Sequence, residues 1–136
     1  MSKLTEYSPE RVAYNGLYGL VAYAQVLDGT YPAEEFVDSF SDSCSAKFIS
    51  QFIAITNNHN LQLLNKQQFK RVEGDLFEFK RIDIQMRLFT FRTGNCWYLV
   101  LGFAGKKENK LPQGIVRQAL RLMDEAKKCL KKKGAM

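Results

Sequence analysis

Hydrophobic residues recur with two different spacings along the chain, and the spacing changes near residue 65. Before residue 65, apolar side chains recur every three or four positions in two segments, which is the spacing of amphipathic helices. After residue 65, apolar and polar side chains alternate singly in short segments, which is the spacing of half-buried β-strands. Because helical and strand segments are grouped rather than interleaved, the pattern predicts an α+β fold.

The N-terminal part predicts one strand followed by one helix. Residues 18–27 are rich in β-branched and aromatic side chains and end at an Asp-Gly turn, so we expect a strand there. Pro32 suits the first position of a helix because its ring fixes φ, and two glutamates follow it at the positive end of the helix dipole. A helix is therefore predicted over 32–41.

A second helix is predicted to follow and to form a hairpin with the first. Ser43 or Ser45 can cap its start, and the polar run from Asn57 to Asn60 ends it. Its apolar residues recur at helical spacing, which predicts that they face the core. These residues are Phe48, Ile49, Phe52 and Ile53.

Four alternating segments beyond residue 65 predict an antiparallel β-meander. Glycine-containing turns at 74–75 and 93–95 separate neighbouring segments. Because side chains point to opposite faces in turn, Arg87 shares a face with Phe89 and Phe91. The predicted strands span 69–72, 76–81, 86–92 and 96–103.

The chain ends in a helix that Pro112 opens. Its apolar side chains form a stripe that predicts a core-facing side, and most of its basic side chains lie off that stripe. No internal repeat or Gly/Ser linker divides the sequence. Residues 1–136 are therefore predicted to form one domain, with its core at about 17–130 and a basic tail at 131–136. The stripe consists of Ile115, Ala119, Leu122, Met123, Ala126 and Leu130.

Composition fits a single globular core in a reducing compartment. The 136 residues are 46% hydrophobic and 12% aromatic, as in ordinary globular domains. The three cysteines are odd in number and far apart, which argues against a disulfide framework and a thiolate metal site. No apolar run reaches the ~18 residues that cross a bilayer, and the N-terminus lacks a secretory signal, so we expect a cytoplasmic protein without membrane contact. The single histidine, His59, is interpreted as a solvated loop residue, which leaves no histidine-based metal site.

Charge is distributed unevenly between the two halves of the chain. Residues 1–65 carry three basic and seven acidic side chains, a net charge of −4, whereas residues 66–136 carry seventeen basic and seven acidic ones, a net charge of +10. A field of this kind draws phosphate groups to one side of a molecule, so we expect the second half to bind a polyanion. For the lysines between 127 and 133 alone, a solvated tail is the preferred interpretation.

Five short motifs in a fixed order resemble the RelE/HigB-like toxin superfamily, in its phage-derived HigB-like branch. The resemblance extends over about residues 17–126, and it rests on the order and spacing of the motifs rather than on any one of them. It implies a RelE-like fold, with an N-terminal strand and a helical hairpin followed by an antiparallel meander and a C-terminal helix. The motifs are EFVDSF at 35–40, GDLFEFK at 74–80, RLFTF at 87–91, LGFAGKK at 101–107 and KLP at 110–112.

The resemblance also implies an activity and partners. Similar toxins are ribosome-dependent mRNA endonucleases that inhibit translation and are held inactive by a helix-turn-helix antitoxin. Such proteins cleave RNA without a metal or other cofactor. The ribose 2′-OH attacks the adjacent phosphate, and the protein contributes positioning and cationic stabilisation.

The same resemblance assigns candidate site residues. Arg87 matches an arginine that contacts the scissile phosphate in similar toxins, and its planar fork suits a phosphate. We therefore expect Arg87→Ala to abolish cleavage and leave the fold intact. Tyr98 is a candidate for stacking on a base, whereas Trp97 is expected in the core. The candidate catalytic residues are Arg87, Lys80 and Lys107, and the candidate substrate-binding residues are Lys106, Lys110 and Tyr98.

Other interpretations of these residues remain open. The C-terminal tyrosine or histidine of some similar toxins has no match in this chain, which favours a non-catalytic phage-derived protein that binds nucleic acid or a host protein on the same scaffold. Inhibition of a topoisomerase by a related scaffold is a third hypothesis. Lys80 and Arg87 can also be cross-strand partners of Glu78 and Asp83 in exposed ladders. The family's glutamate matches Glu78, which is interpreted as the structural partner of a nearby arginine.

Overall fold

The computed structural model describes residues 9–40, 42–57, 67–105 and 111–134, with the backbone alone at 42–45. Within these ranges it contains six strands, three α-helices and a short 3₁₀ turn at Ile82–Ile84. The strands are β1 Val12–Asn15, β2 Leu20–Tyr23, β3 Phe69–Glu73, β4 Leu76–Arg81, β5 Met86–Thr93 and β6 Cys96–Ala104. The helices are α1 Pro32–Asp38, α2 Asp42–Thr56 and α3 Gln113–Lys132.

All six strands belong to one mixed sheet with the order β1-β2-β6-β5-β4-β3. Strands β3 to β6 form the predicted antiparallel meander. Strand β2 pairs with β6 in parallel, from Leu20 opposite Cys96 to Tyr23 opposite Leu99. A parallel pair requires a long crossover, which α1, α2 and the first three strands of the meander supply. The α+β class and the β-meander are therefore confirmed.

The N-terminal strand predicted over 18–27 is confirmed only over Leu20–Tyr23, where β2 is the second strand of a β-hairpin with β1. The chain turns between Gly16 and Gly19, where the Gly16 amide donates to the Gly19 carbonyl at 2.8 Å. Strand β2 then begins at Leu20 and ends at Tyr23, because the chain bends into a second turn, in which the Val26 amide donates to the Thr30 carbonyl. The partner strand β1 is half-exposed at the sheet edge and carries no strong alternation.

The three predicted helices are present, with different bounds. Helix α2 begins at Asp42, so the predicted caps Ser43 and Ser45 lie inside the helix, and Ile53, predicted to face the core, is exposed. Helix α1 ends at Asp38 rather than residue 41, and α2 ends at Thr56, directly before the polar run at 57–60. Helix α3 has 20 residues, and its predicted stripe is buried or half-buried. Among the described helices, none is long and apolar enough to cross a membrane.

The sheet separates two apolar clusters. On one face, Phe48, Phe52 and Ile55 of α2 pack on the central strands, together with the expected core residue Trp97. On the other face, the apolar stripe of α3 packs on Phe91 and on its strand neighbours. Both faces of β5 and β6 are therefore covered over most of their length, as their nearly continuous burial shows.

A glycine sets the distance between α1 and the sheet. A Cβ atom built at Gly102 of β6 would lie 2.0 Å from a ring carbon of Phe36 in α1. The aromatic ring therefore occupies the space that any other residue at position 102 would fill. This close approach fixes α1 over the C-terminal half of β6.

Candidate functional site

Strand register brings four charged residues together near one end of the sheet. Lys80 of β4 lies directly opposite Arg87 of β5, and Lys70 of β3 lies directly opposite Glu78 of β4. Because side chains two positions apart on a strand share a face, all four point to the side of the sheet that carries α3. We call Lys70, Lys80, Arg87 and the carboxylate Glu78 between them the cationic cluster.

Glu78 is the buried centre of this cluster. Its side chain has no exposed surface, and its two oxygens accept hydrogen bonds from Arg87 Nη1 at 3.0 and 3.4 Å. The Lys70 ammonium lies 3.7 Å from Glu78 Oε2. Because a buried carboxylate is costly unless it is paired, these cations are part of what holds Glu78 in the structure. Glu78 is thus the partner of an arginine, as the resemblance implied.

Because Arg87 pairs with a buried carboxylate, its side chain is more buried than that of a residue in an exposed cross-strand charge pair. Only 13% of its side chain is accessible, compared with 39% for Lys70. The cross-strand interpretation is correct for the pairing of Arg87 with Glu78 but wrong about its exposure. Asp83 does not pair with either candidate, because it binds Arg81 at 3.0 Å and Lys47 at 3.4 Å instead.

Lys80 lies beside two other cations without an ion pair of its own. Within the described ranges, no carboxylate lies within 4.0 Å of its ammonium. Burial lowers the pKa of Lys80 from its ordinary value, and the charges of Lys70 and Arg87 lower it further, against the opposing effect of Glu78. A bound anion would relieve this repulsion, so the cluster has the electrostatics of an anion site.

Three candidate lysines, Lys106, Lys107 and Lys110, lie outside the described residues. The chain leaves the described part at Gly105, whose amide donates to the Gln85 carbonyl at 3.1 Å. Gln85 lies two positions before Arg87 in the sequence. The last described residue before these lysines is therefore at the end of the sheet that carries the cationic cluster.

The structure does not bring Tyr98 to this cluster. Its ring is buried under α3 and stacks on Phe91, with the two ring centroids 5.5 Å apart. Trp97 is buried on the opposite face, where it makes edge contacts with Phe69 and Phe77. Since both faces of β6 are covered here, a base cannot reach either ring in this arrangement.

Sequence reasoning missed two residues at this end of the sheet, Lys70 and Gln51. Counting back from the turn at 74–75 places Arg71 opposite Glu78, but an irregularity between Arg71 and Glu73 shifts the register and brings Lys70 there instead, so the sequence carried no signal for Lys70. Gln51 is 1% exposed and lies three positions after Phe48 on the apolar side of α2. A glutamine at a core position of a helix is a signal for a buried hydrogen-bonding role.

Metal-ligand and thiol chemistry adds no second site in the described part of the chain. No three His, Cys, Asp or Glu side chains come together in these ranges, and His59 lies outside them. Burial raises the pKa of Cys96 to about 12, so its thiol stays protonated at neutral pH. The cationic cluster is therefore the candidate functional site of the described residues.

Comparison with known proteins adds no family or relative to this geometry. Neither a scan of protein-family models nor a search of curated proteins matched the chain.

Proposed function

We propose that this protein is a toxin-like mRNA endonuclease of the RelE/HigB-like type that cleaves mRNA on the ribosome without a metal. The observation that carries the proposal is the cationic cluster, in which Lys80 and Arg87 face each other in register beside Lys70. The three cations and one carboxylate of the cluster sum to a charge of +2. A phosphodiester is the anion that such a surface on an RNA-cleaving protein would hold.

In the proposal, the cluster supplies two requirements of metal-free RNA cleavage, which are charge stabilisation and a proton for the leaving group. In this reaction the ribose 2′-oxygen attacks the adjacent phosphorus and loses its proton to water, while the bond from phosphorus to the 5′-oxygen breaks. The products are a 2′,3′-cyclic phosphate and a 5′-hydroxyl end. Arg87 and Lys70 stabilise the negative charge that develops on the phosphoryl oxygens. Lys80 donates the proton to the leaving 5′-oxygen, because a lowered pKa makes its ammonium a stronger acid.

The proposal includes the partners that the resemblance implies. A helix-turn-helix antitoxin would hold the protein inactive in the cytoplasm, and mRNA on the ribosome would be the substrate. The net charge of +10 on residues 66–136 supports attraction to RNA, since long-range fields steer charged partners together. Lys106, Lys107 and Lys110 follow the cluster in the chain and extend this basic region in the proposal.

A non-catalytic protein that binds nucleic acid or a host protein is the second candidate. It is favoured by the burial of Tyr98, because the aromatic ring proposed to stack on a base packs on Phe91 instead. A nucleic-acid-binding protein of this kind would also bind RNA, so affinity alone does not separate it from the endonuclease. They differ in whether bound mRNA is cut.

Induction of the protein in a bacterial host tests the proposal. Growth should stop within a few generations, and incorporation of labelled methionine should fall, because cleaved mRNA stalls translation. Primer extension on an abundant mRNA should show new 5′ ends inside the coding region. Normal growth together with soluble, folded protein would contradict the endonuclease and favour the binding protein.

Binding to single-stranded RNA should weaken steeply as salt is added. Each neutralised phosphate contributes a slope of about −0.7 in a plot of log K against log salt. We therefore expect a slope of about −2 if the RNA contacts Lys70, Lys80 and Arg87. Additional contacts to Lys106 and Lys107 should make the slope steeper, at about −3.5. Fluorescence anisotropy of a labelled RNA in a potassium chloride series measures this slope.

The matched variant for this measurement is Lys70→Gln with Lys80→Gln, which should reduce the magnitude of the slope by about 1.4. A slope near zero in the wild type would contradict an RNA-binding cluster. An unchanged slope in the double variant would place the contacts elsewhere on the protein.

A further inference from the structure

Lys80 differs from the other two cations of the cluster, because within the described ranges its ammonium makes no ion pair. Lys70 lies 3.7 Å from the Glu78 carboxylate, and Arg87 binds the same carboxylate at 3.0 Å. A lysine that is held by a carboxylate keeps its proton, whereas a lysine beside other cations releases its proton more readily. The Lys80 amine is therefore a nucleophile that the cluster can offer.

Two cations stand close to Lys80 on the same face of the sheet. Arg87 lies directly opposite in the strand register, where Cβ atoms are about 5 Å apart. Lys70 takes the diagonal position on β3, at about 7–8 Å by the same geometry. Burial lowers the pKa of Lys80, and the charges of Lys70 and Arg87 lower it further, against the opposing effect of Glu78. Neighbouring cations activate a lysine for nucleophilic attack in this way.

A small reagent can reach Lys80 from solvent. Lys80 is half-buried, and it lines an open groove of about 240 Å³ that lies where β3 begins and β4 ends. The carboxylate in this lining is Asp83, which is already paired with Arg81 and Lys47. The groove therefore admits a small anion to the Lys80 amine.

An acyl phosphate fits this arrangement among acyl donors. Its phosphate is the kind of anion that a cluster with a charge of +2 attracts. Its carbonyl carbon is joined to the phosphorus through a single oxygen, so a phosphate held by Arg87 and Lys70 would bring the carbonyl to Lys80. A coenzyme A thioester carries its phosphates at the far end of a long arm, and the same contact would leave its carbonyl distant from Lys80.

We propose that Lys80 is a modification site that acyl phosphates acylate after their phosphate binds to the cationic cluster. The unprotonated Lys80 nitrogen attacks the carbonyl carbon, a C–N bond forms, and the bond from that carbon to the bridging oxygen breaks. Inorganic phosphate leaves with the electron pair of that bond and takes up the proton that the nitrogen releases. The product is a neutral amide, so the charge of the cluster falls from +2 to +1.

The effect of this modification on activity rests on the proposed function. In that function Lys80 donates a proton to the leaving 5′-oxygen, which an amide nitrogen cannot do. Acylation would therefore switch off cleavage at the same site that performs it. The acylation step itself depends on the cluster and not on RNA.

Treatment of the purified protein with acetyl phosphate, followed by peptide mass spectrometry, tests the site in the absence of RNA. Lys80 should be acetylated about tenfold or more faster than Lys132, because a surface of one charge concentrates counter-ions by about 10–10³-fold. Lys132 is exposed among other lysines of α3, so it controls for positive charge alone. The N-hydroxysuccinimide ester of acetic acid is an uncharged donor and should show a smaller preference for Lys80.

Lys70→Gln should slow acetylation at Lys80 and leave the rate at Lys132 unchanged, because it removes one of the two cations that hold the phosphate. Lys70 is 39% exposed and Glu78 keeps its hydrogen bonds from Arg87, so the variant should fold. Lys128→Gln, at an exposed position of α3, is the matched control and should leave the rate at Lys80 unchanged. Inorganic phosphate at constant ionic strength should slow the reaction at Lys80 only.

Binding to RNA reports the loss of charge at Lys80. Wild-type protein with Lys80 acetylated and Lys132 intact should show a salt slope smaller in magnitude by about 0.7, the contribution of one phosphate contact. Lys80→Arg keeps the charge and is not acetylated under these conditions, so its slope should be the same before and after treatment. A slope that does not change in the acetylated wild type would overturn the regulatory effect.

Equal rates of acetylation at Lys80 and Lys132 would overturn the modification site, as would an equal preference with the charged and uncharged donors. An unchanged rate at Lys80 in Lys70→Gln would also overturn it. A protein that arrests growth but is not acetylated first at Lys80 contradicts the modification site alone. A protein that is acetylated first at Lys80 but never arrests growth contradicts the endonuclease and leaves the modification site in place.

Discussion

Arg87→Ala should lower the free energy of unfolding by about 3–5 kcal/mol, the cost of breaking a buried ion pair by removing one partner. The change would leave the Glu78 carboxylate, which has no exposed surface, without the two hydrogen bonds from Arg87 Nη1. Lys70 lies 3.7 Å from that carboxylate and would compensate only in part. Urea denaturation followed by circular dichroism measures the loss.

Two further variants define the origin of this loss. Arg87→Leu combined with Glu78→Leu removes both charges and should return stability to within about 1 kcal/mol of the wild type, since apolar replacement of a buried pair is often neutral. Arg121→Ala breaks the Arg121–Glu125 pair of 2.9 Å, in which Arg121 is 61% exposed, and should cost below about 1 kcal/mol. An Arg87→Ala protein as stable as the wild type would contradict this account.

The expected loss of stability in Arg87→Ala changes how Arg87 must be tested as a site residue. The sequence predicts that Arg87→Ala leaves the fold intact, whereas the pairing of Arg87 with a buried carboxylate predicts a loss of stability. Loss of toxicity in Arg87→Ala would therefore report on folding as much as on chemistry. A substitution that keeps the charge is required.

Arg87→Lys should reduce mRNA cleavage about a hundredfold or more and leave the protein folded. A lysine at this position keeps a positive charge beside Glu78, but it cannot offer two parallel N–H groups to a phosphate. Removal of one preorganised donor for transition-state charge commonly costs about 10²–10³ in rate. Primer extension after induction measures the cleavage, and a thermal melt of the purified protein measures the fold.

Lys132→Ala is the control for this comparison, because Lys132 is exposed at the end of α3. It should alter only weak, salt-sensitive attraction to RNA and leave cleavage unchanged. If the two variants arrest growth equally, Arg87 does not contact the reacting phosphate. If Arg87→Lys abolishes cleavage and also melts many degrees lower, its role is structural.

The alternation of apolar and polar residues was sufficient to predict the meander and the face of the sheet on which Lys80 and Arg87 lie. Strand β4 has the predicted bounds, and alternation correctly placed Arg87 with Phe89 and Phe91. Strand β1 was missed because its four residues carry no strong alternation. The parallel pairing of β2 with β6 was also missed, because it joins distant parts of the sequence. Local propensity carries no information on such a pairing.

The candidate site could be predicted only as far as strand geometry determines it. The approach of Lys80 and Arg87 follows from the register of one hairpin, so it was accessible from the sequence. Glu78 and Tyr98 are buried because helices pack on the faces of the sheet, and no single segment of the sequence encodes that packing. The hydrogen bonds from Gln51 of α2 to the Gln68 and Lys80 carbonyls likewise join distant parts of the chain.

The parallel pairing of β2 with β6 also has a consequence for the order of folding. During synthesis, β2 emerges before α1, α2 and β3 to β5, whereas β6 and α3 emerge after them. The meander can form from contacts between neighbours, but the sheet closes only through this distant pair, and contacts of this kind form slowly. The N-terminal hairpin therefore waits for β6, and the covered sheet that buries Glu78 is completed late. If the protein acts on the ribosome as proposed, it becomes competent to stop translation only after β6 and α3 of its own chain have been made.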